Sequence, residues 1–219
     1  MQNQINKETI CQSYPCRIEV CGGIASGKTT FAILMKRIGI EPILENFRTN
    51  PFWQAFYSDP GKYTFETEIS FMLQHYHQIK REYGNGKIKI CDFSFFLDIA
   101  YTEIGLKDSK LKAFHTVYNE IKQELSPPAL LVYLNCDAET ELERIRNRGR
   151  AVEKSINLEF LDVLNKAVKL QVENAKKKID VISVDSAQKN FVENELVKQE
   201  LTDLVFNSLS PILKNASMI

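Results

Sequence analysis

Gly22-Gly23-Ile24-Ala25-Ser26-Gly27-Lys28-Thr29 is the stretch whose reading decides the fold. It fits G-x-x-x-x-G-K-[ST], the phosphate-binding loop, and both flanks agree with it. Arg17 to Cys21 before it reads as a short buried strand, and Thr30 to Ile38 after it as an amphipathic helix. The chemistry needs both flanks. Glycines let successive backbone N–H groups turn inward around phosphate oxygens, and the helix N-terminus adds positive potential. Gly22, Gly23, Ala25, Ser26, Gly27 and Thr30 would cradle a nucleoside triphosphate such as ATP. Lys28 would reach its β- and γ-phosphates, and the Thr29 hydroxyl would ligate Mg²⁺.

Working outward, strands and helices alternate. Residues 41–45, 87–91, 129–134 and 180–184 read as further strands, the first of them ending in Glu45. Helical spacing predicts helices over 51–58, 63–83, 95–104, 109–125, 138–147, 158–178 and 189–209. Asp59-Pro60-Gly61 reads as a turn, and Gly84-Asn85-Gly86 as the stop of the long helix. The pattern implies a P-loop NTPase-type three-layer α/β/α fold around a five-stranded parallel sheet, with ligands at the carboxyl ends of the strands.

Composition bounds the rest. The 219 residues are 44% hydrophobic and 26% charged, which suits one domain over 16–219 behind a flexible tail, residues 1–15. A net charge of zero argues against binding a nucleic-acid polymer. No apolar run is long enough to span a membrane, and Met1 to Thr9 lacks the apolar core of a signal peptide. Five cysteines without a C-x-x-C pair read as reduced thiols of a cytoplasmic protein.

The polar residues at strand ends carry the chemistry. Glu45, Asp92 and the phosphate loop fall at strand C-termini, so the topology brings them to one crevice. Glu45 is a candidate general base for a hydroxyl attacking the γ-phosphate. Asp92 ends an apolar strand, where a P-loop enzyme keeps a carboxylate near Mg²⁺. Asp92 or Ser94 also suits the N-cap of the following helix. Arg144, Arg148 and Arg150 form an arginine-rich lid, about 144–155. Arg144 and Arg148 share a helix face at i,i+4, where like charges repel, so they make sense with an anion between them. His75 and His77 read as helix-surface or core histidines, and Phe52 and Trp53 as core.

Taken together, these segments resemble the deoxyribonucleoside kinases, closest to the bacterial deoxyadenosine/deoxyguanosine kinase branch. The resemblance runs over about residues 16–206. It rests on the phosphate loop, Glu45-Asn46, Asn50-Pro51-Phe52, Phe56 to Pro60, Tyr63 to Glu68, Asp92-Phe93-Ser94, and the arginine lid followed by Glu153. It implies a Mg²⁺-dependent enzyme that passes the ATP γ-phosphate to the 5′-hydroxyl of a purine deoxynucleoside, in nucleotide salvage. Glu45 matches the base, Tyr57 and Glu153 the pair on the 3′-hydroxyl, and Phe65 and Tyr101 the two faces of the nucleobase. Glu66 and Asp98 match groups that read base edges. Lys28 and Arg148 match groups that carry the developing charge, and Asp92 the acid near Mg²⁺. A homodimer through the long helices around 63–83 and 108–125 is also implied. Phe93 stands where the family often has an arginine, for which Arg48 is a substitute candidate. The rival readings are a thymidylate-like monophosphate kinase, which needs a further cation such as Arg48, and a nucleotide-sensing protein.

Overall fold

A computed structural model describes residues 17–82 and 87–216, with side chains as far as residue 209. The tail expected over residues 1–15, Cys11, Cys16 and the Gly84-Asn85-Gly86 stop lie outside the described residues. Five parallel strands form one sheet: β1 (Arg17–Cys21), β2 (Glu41–Ile43), β3 (Lys89–Cys91), β4 (Leu130–Asn135) and β5 (Asp180–Asp185). Their order is β2-β3-β1-β4-β5. Register places Ile18 beside both Ile90 and Leu130, so β1 is the central strand. It is buried along its whole length, as a parallel strand covered on both faces must be.

The helices are α1 (Lys28–Leu34), α2 (Trp53–Ser58), α3 (Pro60–Arg81), α4 (Phe95–Gly105), α5 (Asp108–Glu124), α6 (Ala138–Arg148), α7 (Leu158–Ala175) and α8 (Glu195–Ala216). Alternation along the strands divides the core. Ile18, Val20, Leu130, Val132 and Leu134 pack against Phe31 and Met35 on one face, with Leu201 and Val205 of α8. Cys21, Leu131 and Tyr133 meet Ile145, Leu161, Leu164 and Val168 of α6 and α7 on the other. A third cluster at the β2–β3 end joins Met72 and Ile79 of α3 to Phe95, Phe114 and Ile121 of α4 and α5. The described cysteines, Cys21, Cys91 and Cys136, are free and buried. Among the described residues no helix is long and apolar enough to cross a membrane.

Local chemistry moves several boundaries. Asp59-Pro60-Gly61 begins α3 and is not a separate turn. Asp59 caps it by accepting from the Lys62 backbone N–H, and Pro60 sits in the first turn, where its missing N–H costs nothing. Ser94 is the cap of α4, accepting from Phe96 N–H at 3.2 Å. The helix after the phosphate loop ends at Leu34 and tightens into a 3-10 turn, Met35–Ile38. The last helix starts at Glu195, because Asn194 caps its first turn by accepting from the Leu196 and Val197 N–H groups, while Asn190 accepts from Val192 and Glu193 in the preceding loop.

One ion pair lies inside the sheet layer. Arg17 Nε donates to Glu19 Oε1 at 2.9 Å, with side chains 4% and 1% exposed. Ser94 Oγ donates to the second Glu19 oxygen at 3.1 Å, and Arg17 Nη1 to the Ser126 carbonyl. Removing one partner strands a buried charge. Glu19→Ala should therefore cost about 3–5 kcal/mol in urea unfolding, whereas the apolar double replacement Arg17→Met, Glu19→Leu should recover most of it.

Candidate active site

The phosphate loop bridges β1 and α1 at the point where the chain leaves β1 between β3 and β4. Gly27 takes φ 100°, a left-handed conformation natural to glycine. Gly23 is needed for another reason. A Cβ there would lie 2.2 Å from Glu141 Oε1 and 2.4 Å from Asn165 Oδ1, on the helices that back the loop. Lys28 Nζ donates to the carbonyls of Gly22 at 3.0 Å and Gly23 at 2.7 Å. Burial pushes its ammonium below the usual range, and the Glu45 and Glu141 carboxylates oppose that. Ser26 Oγ is buried with no hydrogen-bond partner, a polar atom turned into the loop.

Asp92 ties this loop to the segment after β2. Its Oδ2 accepts from Thr29 Oγ1 at 2.7 Å, and its Oδ1 accepts from the Glu45 backbone N–H at 2.6 Å. Burial raises its pKa, and both hydrogen bonds act against the rise. The Glu45 side chain then reaches His75, whose Nε2 lies 2.8 Å from Glu45 Oε1. On the other side of the ring, Nδ1 lies 2.9 Å from Asp98 Oδ2. Burial alone would favour the neutral imidazole, but Asp98 and Glu45 outweigh it and His75 is pushed up to about 10. Only the doubly protonated ring can donate to both carboxylates. Glu68, two turns earlier on the same buried stripe of α3, is pushed up by burial and then by Asp98.

These groups line one cavity of about 290 Å³. Lys28, Thr29 and Asp92 stand at its phosphate end, and Glu68, His75 and Asp98 lie deeper. Trp53, Phe56, Tyr57, Phe71, Phe93 and Tyr101 supply aromatic walls. Tyr57 is raised above the ordinary phenol range by burial first and then by Glu153. Arg148, Arg150 and Glu153 close the mouth. Arg148 grips Glu153 through two bonds of 2.7 Å, and Arg150 adds one at 3.2 Å. Arg150 also lies over the Phe47 ring, 4.5 Å from its centre. The anion between these two arginines is thus a carboxylate of the chain itself.

Some expected residues fall elsewhere. Arg144 faces away from Arg148. It donates to the carbonyls of Ala25 at 3.4 Å and Ser186 at 2.6 Å, and lines a second hollow with Gly27, Thr30, Lys189 and Phe191. Phe65 packs among the α3–α5 side chains beneath Lys110, and neither Phe65 nor Glu66 lines the main cavity. The face of α3 that carries Thr67, Glu68, Phe71 and His75 lines the cavity instead. Trp53, expected in the core, is a cavity wall. Arg48 lies over Phe47 and faces a separate hollow, away from Glu45. Glu68 was given no role in the sequence reading, and His75 was read as a helix-surface or core histidine; it is buried and lines the cavity. Their signal was present: both fall on the buried stripe of α3 with Thr64, Met72 and Ile79, where an ionisable group needs a reason.

A sequence model of the deoxynucleoside kinase family matches residues 18–210. The chain is 29% identical over 187 residues to a deoxyguanosine kinase of Bacillus subtilis, covering 81% of this chain and 90% of the relative. It is 27% identical over 205 residues to a deoxyadenosine kinase of Dictyostelium discoideum, covering 89% and 83%. In fold it is similar to a deoxyadenosine kinase from M. mycoides with bound dCTP, at a TM-score of 0.73 and 22% identity. That match covers 89% of this chain and 99% of the other.

Behind the phosphate loop, Glu141 gives the site a measurable pH signature. It is fully buried, and burial raises it from 4.5 to about 7 against one hydrogen bond from Asn165. A folded acid raised above its unfolded value holds its proton longer than the unfolded chain does, so stability falls as pH climbs between the two values. Glu141→Gln should leave thermal stability nearly unchanged at about pH 4.5 and raise it by roughly 1–3 kcal/mol at about pH 8.

Proposed function

The chain belongs to the deoxynucleoside kinase family, and from that premise we propose that it transfers the γ-phosphoryl group of ATP to the 5′-hydroxyl of a purine deoxynucleoside. The product would be the monophosphate made in nucleotide salvage. The observation that carries this reading is Glu45, a carboxylate in the same cavity as Lys28 and Thr29 and joined to Thr29 through Asp92.

In the proposed reaction the 5′-oxygen gives its proton to Glu45 and forms a bond to the γ-phosphorus. The bond from that phosphorus to the bridging oxygen breaks, and ADP leaves. Lys28, and Arg148 and Arg150 once turned from Glu153, would carry the charge that spreads over the phosphoryl oxygens. Arg144, beside Ala25, would serve the nucleotide from the second hollow. Thr29 and Asp92 fit a magnesium ion: both offer hard oxygen donors, and Mg²⁺ needs only one or two protein ligands beside phosphates. When bound, the ion would supply charge neutralisation on the phosphate oxygens.

The sugar would lie between Tyr57, Glu153 and Glu45, with the 3′-hydroxyl on Tyr57 and Glu153. For the nucleobase, Glu68 takes the place expected of Glu66, beside Asp98 and between aromatic walls that include Tyr101 and Phe71. Glu68 and Asp98 are both buried on the cavity wall, and a carboxylate there accepts from guanine N1–H and N2–H₂. That supports a purine. Phe93, buried and stacked on His75 at 4.1 Å, has a structural use that does not call for a sensing role. Arg48 faces a different hollow, so it gives no support to a monophosphate acceptor. Placement in the cytoplasm and a homodimer through α3 and α5, where Leu73 is exposed, belong to the same reading.

Monophosphate formation from ATP and Mg²⁺ across the four deoxynucleosides and adenosine tests it. Deoxyguanosine or deoxyadenosine should turn over, and Glu45→Gln should lose about 10²–10⁴-fold in kcat. Glu68→Gln should shift the ratio of purine substrates more than the total rate. ATP binding without turnover of any nucleoside would overturn the reading. Sedimentation should give the dimer mass, moved toward monomer by Leu73→Glu.

A further inference from the structure

The cavity holds three carboxylates, Glu45, Glu68 and Asp98, within reach of one imidazole. To take the proton of the 5′-hydroxyl, the Glu45 carboxylate must be aimed at it. Some other group must do the aiming, since Lys28 points its amine at the loop carbonyls rather than at Glu45.

His75 occupies that place. Its two nitrogens meet Glu45 Oε1 at 2.8 Å and Asp98 Oδ2 at 2.9 Å. Its ring is fixed in a third direction by aromatic faces. Phe93 stacks on it at 4.1 Å with planes 5° apart, and Phe71 lies 5.9 Å away with planes 20° apart. Phe95 presents an edge at 6.2 Å. A ring held this way cannot turn without losing both carboxylates. Glu45 is therefore fixed at both ends, its backbone N–H on Asp92 and its side chain on His75.

We infer that His75 is a positioning residue that couples base recognition to phosphoryl acceptance: as a strut between Asp98 and Glu45, it orients the Glu45 carboxylate for the 5′-hydroxyl and transmits the setting of Asp98, which meets the nucleobase. The inference rests on the kinase reading above and deepens it. Asp98 sits on α4, Glu45 on the loop after β2 and His75 on α3, so the strut fixes three separate elements at the bottom of the cavity. Phe93 is the platform of the strut, which accounts for an aromatic residue directly after Asp92. The charged and titratable groups facing His75 are Glu45, Asp98 and, from its own helix, Glu68; the other ring neighbours are phenylalanines.

The test combines kinetics with a signal that needs no turnover. In the unliganded parent, nitrogen NMR of His75 should report both ring nitrogens protonated at neutral pH, and Asp98→Asn and Glu45→Gln should each move that signature. His75→Gln, which can serve only one carboxylate well, should lower kcat by about 10²-fold with the KM for ATP changed by no more than about threefold. His75→Arg, which keeps a planar cation able to donate both ways, should recover about tenfold of that loss. The kcat losses of His75→Gln and Asp98→Asn should fall well short of adding in the double variant. A neutral, singly protonated His75, or a His75→Gln enzyme with parental kcat, would overturn the strut and leave the kinase reading standing. A parent that phosphorylates no deoxynucleoside would overturn both.

Discussion

One carboxylate holds the site together. Asp92 accepts from the Thr29 hydroxyl with one oxygen and from the Glu45 backbone N–H with the other. Those two contacts join the start of α1 to the loop after β2, segments that share no strand pairing, since β3 runs between β1 and β2. Asp92 follows the last residue of β3 and is buried. A buried charge of this kind persists only where its oxygens are engaged. The strand order thus sets where Asp92 emerges, and Asp92 sets where the phosphate loop and Glu45 stand relative to each other.

The same economy extends along a line of side chains. Thr29, Asp92, Glu45, His75 and Asp98 follow one another through hydrogen bonds of 2.6–2.9 Å. They come from α1, the end of β3, the loop after β2, α3 and α4. Each member satisfies a neighbour that the low dielectric would otherwise penalise, so the chain acts as a unit and not as four independent contacts. Apolar packing fixes its path: Phe93 and Phe95 belong to the cluster that joins α3, α4 and α5, and they also form the walls around His75.

How much of this was legible in the sequence differs from one residue to the next. The phosphate loop was legible because its glycines, lysine and threonine stand at fixed spacing beside a strand and a helix. Glu45 and Asp92 were legible because strand ends meet at the crevice of a parallel sheet. Glu68 and His75 were not. The apolar residues of the long helix, Phe65, Ile69, Met72, Leu73, Tyr76 and Ile79, spread over more than one face, so spacing alone did not say which side meets the cavity. Glu66 and Glu68 stand two residues apart, which on a helix is a change of face, and Glu68 is the one that lines the cavity. Arg144 shows a different limit. Spacing put it on the same side as Arg148, but a long side chain follows its acceptors, and the carbonyls of Ala25 and Ser186 draw it behind the loop.

The mouth of the cavity follows the same rule as its floor. Two arginines at the end of α6 and just past Gly149 would repel, yet both bind Glu153, whose side chain is only 2% exposed. A bidentate guanidinium–carboxylate grip is strong in such a place. A nucleotide phosphate that drew Arg148 and Arg150 toward itself would leave Glu153 buried and without its donors, which is costly unless another donor arrives. In the proposed complex that donor is the 3′-hydroxyl of the sugar, beside Tyr57. In the proposed reaction, moving the arginines onto phosphate would then be least costly with the acceptor already in place, and attack on ATP by water alone would be disfavoured by the same electrostatics that hold Arg148 and Arg150 on Glu153.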